Sequence, residues 1–175
     1  MKQGLIHIYT GNGKGKTTAA VGLTLRCAGS GEMVVFTQLM KGNHSSERNL
    51  LEQLKKVIVI PTRRTFGFSW DLTEAEKAEA REVYTCQFTA AVAKAEEIGA
   101  AMIVFDEIIS AYNCNMIDTE KVLDFLRNKP AHLEIVLTGR DPKPELLELA
   151  DYVSEIKKIK HPYDAGIPSR KGIEN

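Results

Sequence analysis

Short apolar runs recur along the chain, each followed by a polar or glycine-rich break and then a helical pattern. Leu5–Tyr9 is the first run. The segment Thr18–Ala28 reads as a helix carrying Ala19, Ala20, Leu23, Leu25 and Ala28, stopped at Gly29-Ser30-Gly31, where glycine suits a C-cap. Met33–Leu39 is apolar at odd and even positions alike. That pattern predicts a parallel strand covered on both faces, not a half-exposed one. A polar loop, Met40–Glu47, leads into a short helix over Ser46–Leu54, and Val57–Ile60 is a strand ended by Pro61.

The second half repeats the alternation. Thr73 and Glu76 form a capping box that opens a helix running to Ile98, with Gly99 ending it. Ala101–Phe105 is a strand that delivers Asp106-Glu107, and Ile108–Met116 is expected to be non-helical or distorted. Asp118 caps a helix over Thr119–Asn128, stopped before Pro130. Leu133–Leu137 is a strand ending in Thr138-Gly139-Arg140, and Pro144 starts a short helix to Ala150. Tyr152–Ile159 alternates imperfectly and reads as a last, partly exposed strand. The tail, His161–Asn175, has no periodicity and is either a frayed terminus or a segment that folds over a ligand. Alternating strands and helices predict an α/β fold, a mostly parallel sheet with helices on both faces. No repeat or linker divides it, so residues 1–175 are expected to form a single domain.

Composition narrows the partners. A chain of 175 residues can bury a real core. Its 23 basic and 23 acidic residues balance, which argues against nucleic acid as a main partner. The cysteines, Cys27, Cys86 and Cys114, are widely spaced and form no CxxC pair, which suits a reducing compartment. With Met1–Gly4 running straight into a strand and no long apolar stretch, the expectation is a cytoplasmic protein without a membrane partner.

The chemistry centres on Thr10-Gly11-Asn12-Gly13-Lys14-Gly15-Lys16-Thr17-Thr18. A glycine loop between a strand and a helix cradles phosphate with backbone N–H groups and the helix N-terminus. Lys16 can reach a phosphate, and the Thr17 hydroxyl can bind a metal ion bridging phosphates. The usual loop begins with glycine, whereas Thr10 stands there, so the local geometry or the nucleotide pose is expected to differ from that of an ordinary ATPase. An acid after an apolar strand, Asp106 or Glu107, fits the carboxylate that holds magnesium in such a site.

Thr62–Trp70 reads as neither helix nor strand and concentrates Arg63, Arg64, Phe66, Phe68 and Trp70. The aromatics either close one end of the core or line a pocket for a large flat ligand. Among the histidines, His7 reads as structural and His132 as solvated. His44 faces the ligand side or is simply exposed, and no set has metal-ligand spacing.

These stretches together resemble a known family. Thr10–Ala20, Gln38–Gly42, Gly67-Phe68-Ser69-Trp70, Phe105-Asp106-Glu107, Leu137-Thr138-Gly139-Arg140 and His161–Glu174 are similar to the ATP:corrinoid adenosyltransferases of the CobA/BtuR family, essentially over the whole chain. The resemblance implies a RecA-like P-loop fold, a homodimer, and transfer of the 5′-deoxyadenosyl group of ATP to cobalt(I) of a reduced corrinoid with release of triphosphate. It implies that Gly11, Asn12, Gly13, Lys14, Gly15, Lys16, Thr17 and Thr18 hold the triphosphate with help from Lys41. Phe68 and Trp70 would lie beside the lower face of the corrin. Asp106 and Glu107 would stand near metal and substrate, with Thr17 and Asp106 as metal ligands for magnesium, or manganese in its place. Arg140, His161 and Gly166 would surround the nucleotide or close the site, making residues 160–175 a tail near the active site.

Phe66 stands where the family commonly has a small residue, and Asn175 ends a motif that often ends in an aromatic. The chain is also expected to lack the N-terminal extension that some members use to cover the corrinoid. An external flavin-dependent reductant is implied, since the chain carries no flavin motif and no iron–sulfur cysteine set. The competing readings are a P-loop ATPase or small-molecule kinase, and a non-enzymatic ATP-gated corrinoid-binding protein.

Overall fold

A computed structural model describes residues 3–42, 45–67 and 71–174. The strands are β1 (Ile6–Thr10), β2 (Val34–Gln38), β3 (Val57–Ile60), β4 (Met102–Asp106), β5 (Glu134–Thr138) and β6 (Tyr152–Glu155). They form one sheet in the order β3-β2-β4-β5-β1-β6, and every pairing is parallel. The helices are α1 (Lys16–Gly29), α2 (Ser46–Leu51), α3 (Glu74–Glu97), α4 (Ile108–Asn113), α5 (Thr119–Arg127) and α6 (Pro144–Leu149), followed by a 3-10 turn at Pro162–Ala165.

The sheet explains why β2 reads as apolar on both parities, and β4 and β5 are covered on both faces in the same way. Val35, Ile103 and Ile135 enter one core with α3, α4 and α5, including Tyr84, Phe88, Phe105 and Leu126. Their neighbours Val34, Phe36, Met102, Val104 and Val136 enter a second core, with Ala20 of α1 and Leu51 of α2. A side chain as fully buried as Phe36 or Ile103 contributes roughly 1.5–3 kcal/mol relative to exposure. The sheet is thus held from both faces, and its strand ends are fixed platforms.

Several boundaries move for physical reasons. The helix expected from Thr18 starts at Lys16, directly after the glycine loop, and the one expected to reach Leu54 ends at Leu51 in hydrogen-bonded turns. The capping box stands as read: Thr73 Oγ1 accepts from the Glu76 amide at 3.3 Å, and Glu76 Oε2 accepts from the Thr73 amide at 2.8 Å. The expectation of a non-helical or distorted Ile108–Met116 is corrected over Ile108–Asn113, which is helical, while the chain leaves the helix after it, with Asn115 at φ 54°. No capping side chain announces this helix. Glu107, at φ 60°, turns the chain out of β4, and burial of Ile108, Ile109, Ala111 and Tyr112 holds the turn of helix in place. The last strand stops at Glu155 instead of Ile159, because the chain leaves the sheet there to pack on the glycine loop.

Candidate functional site: a phosphate loop joined to a buried carboxylate

β5 lies between β1 and β4. The glycine loop leaving β1 and the acid ending β4 therefore stand on either side of Thr138, at the end of β5. All of this sits at the carboxyl ends of the strands, where open α/β sheets bind ligands.

The loop is braced from behind by the chain after β6. The Gly13 amide donates to the Ile156 carbonyl at 2.7 Å, and Asn12 Oδ1 accepts from the Lys158 amide at 2.9 Å. A Cβ on Gly13 would meet the Ile156 oxygen at 2.7 Å and the Lys157 carbonyl carbon at 2.8 Å, so this approach admits only glycine. Lys16 Nζ folds onto the loop, donating to the carbonyls of Gly11 at 2.7 Å and Gly13 at 3.0 Å. Burial lowers its pKa, and the positive charges of Arg140 and Lys41 act in the same direction against Glu107 and Asp106.

Asp106 is wholly buried, and its carboxylate is saturated with donors. Oδ1 accepts from Thr138 Oγ1 at 2.7 Å and from Thr17 Oγ1 at 3.0 Å. Oδ2 accepts from Lys41 Nζ at 2.8 Å and Gln38 Nε2 at 3.1 Å. Lys41 Nζ also donates to Thr17 Oγ1 at 2.8 Å. Burial alone would lower the Lys41 pKa, but the Asp106 carboxylate outweighs it and the ammonium is held above its ordinary value. The neighbouring Glu107 joins this cluster through its backbone: its amide donates to Thr138 Oγ1 at 2.8 Å, whereas its carboxylate accepts from Ser110 Oγ at 2.7 Å.

A cavity of about 330 Å³ opens beside the loop. The predicted residues Asn12, Gly13, Lys14, Gly15, Lys16, Thr17, Thr18, Lys41, Glu107, Arg140 and His161 line it. Asp106 sits beneath it, reached through Thr17 and Lys41. Gly11 contributes its carbonyl to Lys16 and does not line the cavity. Gly166 does not line it either; at φ 76° it ends the 3-10 turn that His161 begins by accepting from the Tyr163 amide at 3.2 Å. The tail roofs the cavity with Tyr163, Ser169, Arg170 and Glu174. Arg170 grips Glu174 through Nη2 at 2.9 Å, holding that carboxyl down to about 2, with its own amide and the charge of Lys14 acting in the same direction.

Phe68 and Trp70, like His44, lie outside the described residues. Phe66 packs edge-on against Tyr84 of α3, ring centroids 5.7 Å apart, with the Arg64 guanidinium 4.9 Å over its ring. His7 pairs with Glu134 and stacks on Tyr152 at 4.6 Å, and His132 is exposed.

Sequence reasoning missed Gln87. Its Nε2 donates to Thr37 Oγ1 at 2.7 Å, the Gln38 carbonyl at 2.9 Å and Thr62 Oγ1 at 3.3 Å, tying the end of β2 to the start of the aromatic loop. The available signal was a glutamine on the buried stripe of α3, between Tyr84 and Ala91. A polar side chain on such a stripe must have partners.

Thr17 and Asp106 offer hard oxygen ligands suited to magnesium, which keeps few protein ligands and fills its shell with water and phosphate. The Lys41 ammonium bonded to both oxygens shows that the position accepts a cation. Among the described residues no group of three or more His, Cys, Asp or Glu could cage a metal by itself.

The inserted β5, the glycine loop on β1 and the acid ending β4 define a RecA-like P-loop protein. In fold it resembles a KaiC-like protein from Pyrococcus horikoshii OT3, with a TM-score of 0.56 at 18% identity over 89% of this chain and 73% of that one. It also resembles ATPases 2 and 3 of EssC from Geobacillus thermodenitrificans, with a TM-score of 0.53 at 15% identity over 98% of this chain and 36% of that one.

The particular family follows from sequence: residues 2–175 match ATP:corrinoid adenosyltransferase BtuR/CobO/CobP, and the chain belongs to that family. Relatives named corrinoid adenosyltransferase include one from Escherichia coli K12, 35% identical over 99% of this chain and 86% of its own length. Another, from Salmonella typhimurium, is 34% identical over the same shares. A third, from Pseudomonas aeruginosa, is 29% identical over 99% of this chain and 84% of its own length.

Proposed function

We propose that this chain transfers the 5′-deoxyadenosyl group of ATP to the cobalt(I) of a corrinoid and releases triphosphate. The carrying observation is family membership across residues 2–175, in a chain whose phosphate loop, Lys41 and tail line one cavity. Neither the ATPase or kinase reading nor the ATP-gated carrier reading draws support of its own.

Cobalt(I) supplies an electron pair that forms the cobalt–carbon bond, while the C5′–oxygen bond breaks and its pair leaves on triphosphate. No protein nucleophile is needed, so the chain's work is to position and stabilise. The loop amides from Lys14 to Thr18 would bind the triphosphate oxygens, the Gly13 amide being taken by the Ile156 carbonyl, and Lys16 would exchange its loop carbonyls for them. Magnesium or manganese, held by Thr17 and Asp106, would supply further positive charge against the leaving group. Arg140, Lys14 and His161 line the same cavity.

Phe68 and Trp70 would provide an apolar wall under the corrin that excludes an axial ligand and favours four-coordinate cobalt(II), the form easier to reduce. The anchoring of Phe66 on Tyr84 supports a fixed root for that loop. The reading includes a homodimer in the cytoplasm, an external flavin-dependent reductant and no nucleic-acid partner. No helix among the described residues is long and apolar enough to cross a membrane.

The test is product analysis after incubating the chain with ATP, magnesium and chemically reduced cobalamin. Adenosylcobalamin and inorganic triphosphate are expected in equal amounts. ADP and phosphate, or bound ligands with no new cobalt–carbon bond, would overturn the assignment.

A further inference from the structure

Lys41 lines the phosphate cavity, but its ammonium is turned onto the acid beneath it. Its ammonium sits between Thr17 Oγ1 and Asp106 Oδ2, at 2.8 Å from each. The backbone is built for this: Met40, at φ 57°, turns the chain sharply at the end of β2. A left-handed non-glycine residue is a strained conformation that the surroundings must hold. Asp106 is wholly buried, and a buried carboxylate without a cation is costly. Glu47 and Glu107 add negative charge around the same ammonium.

A divalent ion held by Thr17 and Asp106 would need the place the ammonium fills. The ammonium and a divalent ion would bond the same two oxygens, and two cations that close repel strongly in a buried site, so they compete for the place. Lys41 has somewhere to go, since it lines both the phosphate cavity and the adjoining one beside Glu47.

We propose that Lys41 is an exchangeable counter-cation: its ammonium holds Thr17 and Asp106 in place before substrate arrives, bars divalent ions from the site, and transfers to the phosphate oxygens when metal and triphosphate enter together. The proposal rests on the assignment of Thr17 and Asp106 as metal ligands. It makes Lys41 a positioning residue that couples metal binding to nucleotide binding.

The test is calorimetric titration of Mn²⁺ into the full chain without nucleotide. Wild type is expected to bind weakly, and Lys41→Met at least about tenfold more tightly, because a repelling charge is gone. Lys41→Arg keeps the charge and stays weak. Adding Asp106→Asn to Lys41→Met abolishes the gain, which locates the ion. A Lys41→Met chain with unchanged circular dichroism and no gain overturns the proposal, as does tight binding by Lys41→Arg. If Lys41→Met does not fold, Lys41→Gln is read the same way.

A second measurement uses wild type alone. Inorganic tripolyphosphate should raise protein-bound Mn²⁺, read by water-proton relaxation, and no rise overturns the exchange. Neither measurement needs a corrinoid, so failure of adenosyl transfer and failure of the exchange are separate results.

Discussion

The hydroxyl of Thr138 donates to Asp106 Oδ1 at 2.7 Å while accepting the amide of Glu107 at 2.8 Å. One buried side chain at the end of β5 thus fixes both acids that end β4. Replacing Thr138 by valine keeps the shape and leaves both partners short of a bond. Unfolding in urea should show a loss of about 1–3 kcal/mol, while Thr138→Ser should retain most of the stability. A Thr138→Val chain as stable as wild type would remove this role.

The next residue tests close packing. Gly139 has φ 149°, and a Cβ there would lie 2.6 Å from the Ile109 Cβ and 2.9 Å from the Ser110 amide nitrogen. Gly139→Ala must push α4 away from the end of β5, at a cost of about 1–3 kcal/mol. A melting temperature within experimental error of wild type would show that α4 yields freely.

Lys16 now satisfies itself on the carbonyls of Gly11 and Gly13, and triphosphate should draw it away. Lys16→Ala should weaken tripolyphosphate binding by about 10- to 100-fold, the worth of a charge-assisted bond, with little change in thermal stability. Undiminished binding by calorimetry would contradict the phosphate-loop assignment.

The aromatic pair makes a separable prediction. Phe68→Ala with Trp70→Ala should reduce the spectroscopic signal of four-coordinate cobalt(II) and leave ATP binding nearly intact. An unchanged cobalt(II) spectrum in the folded double variant would reject the apolar wall.

Tyr112 offers a test by pH. Burial, then the hydrogen bond to Glu145 and its charge, push the phenol from 10.0 up to about 12. The fold therefore prefers the protonated phenol. Its contribution is complete below pH 10 and is lost as pH rises from 10 toward about 12. Tyr112→Phe should flatten the stability curve across that window. If wild type and variant lose stability in parallel there, the phenol is not the responsible group.

Much of this molecule is legible in one dimension. Val34-Val35-Phe36 announces a doubly covered strand because each parity feeds a different core. The glycine spacing before Lys16-Thr17 and the acid after Met102–Phe105 encode local backbone and strand-end chemistry, which depend on near neighbours in the chain. Helix α4 was not legible, because no cap marks it and only burial holds it. Gln87 was hidden for a related reason: a lone polar residue on an apolar stripe acquires meaning only from what packs against it.

The sequence by itself determined the alternating α/β plan, the phosphate loop and the family, since these reside in short-range pattern and in residue identity along the chain. Tertiary structure decided that β5 enters between β1 and β4, bringing Thr138 to Asp106. It also decided that Ile156 braces Gly13 and that the Lys41 ammonium lies on the Asp106 carboxylate. Those contacts join residues distant in the chain, and they form only because the burial of a carboxylate and the closing of a sheet are settled by the whole fold at once.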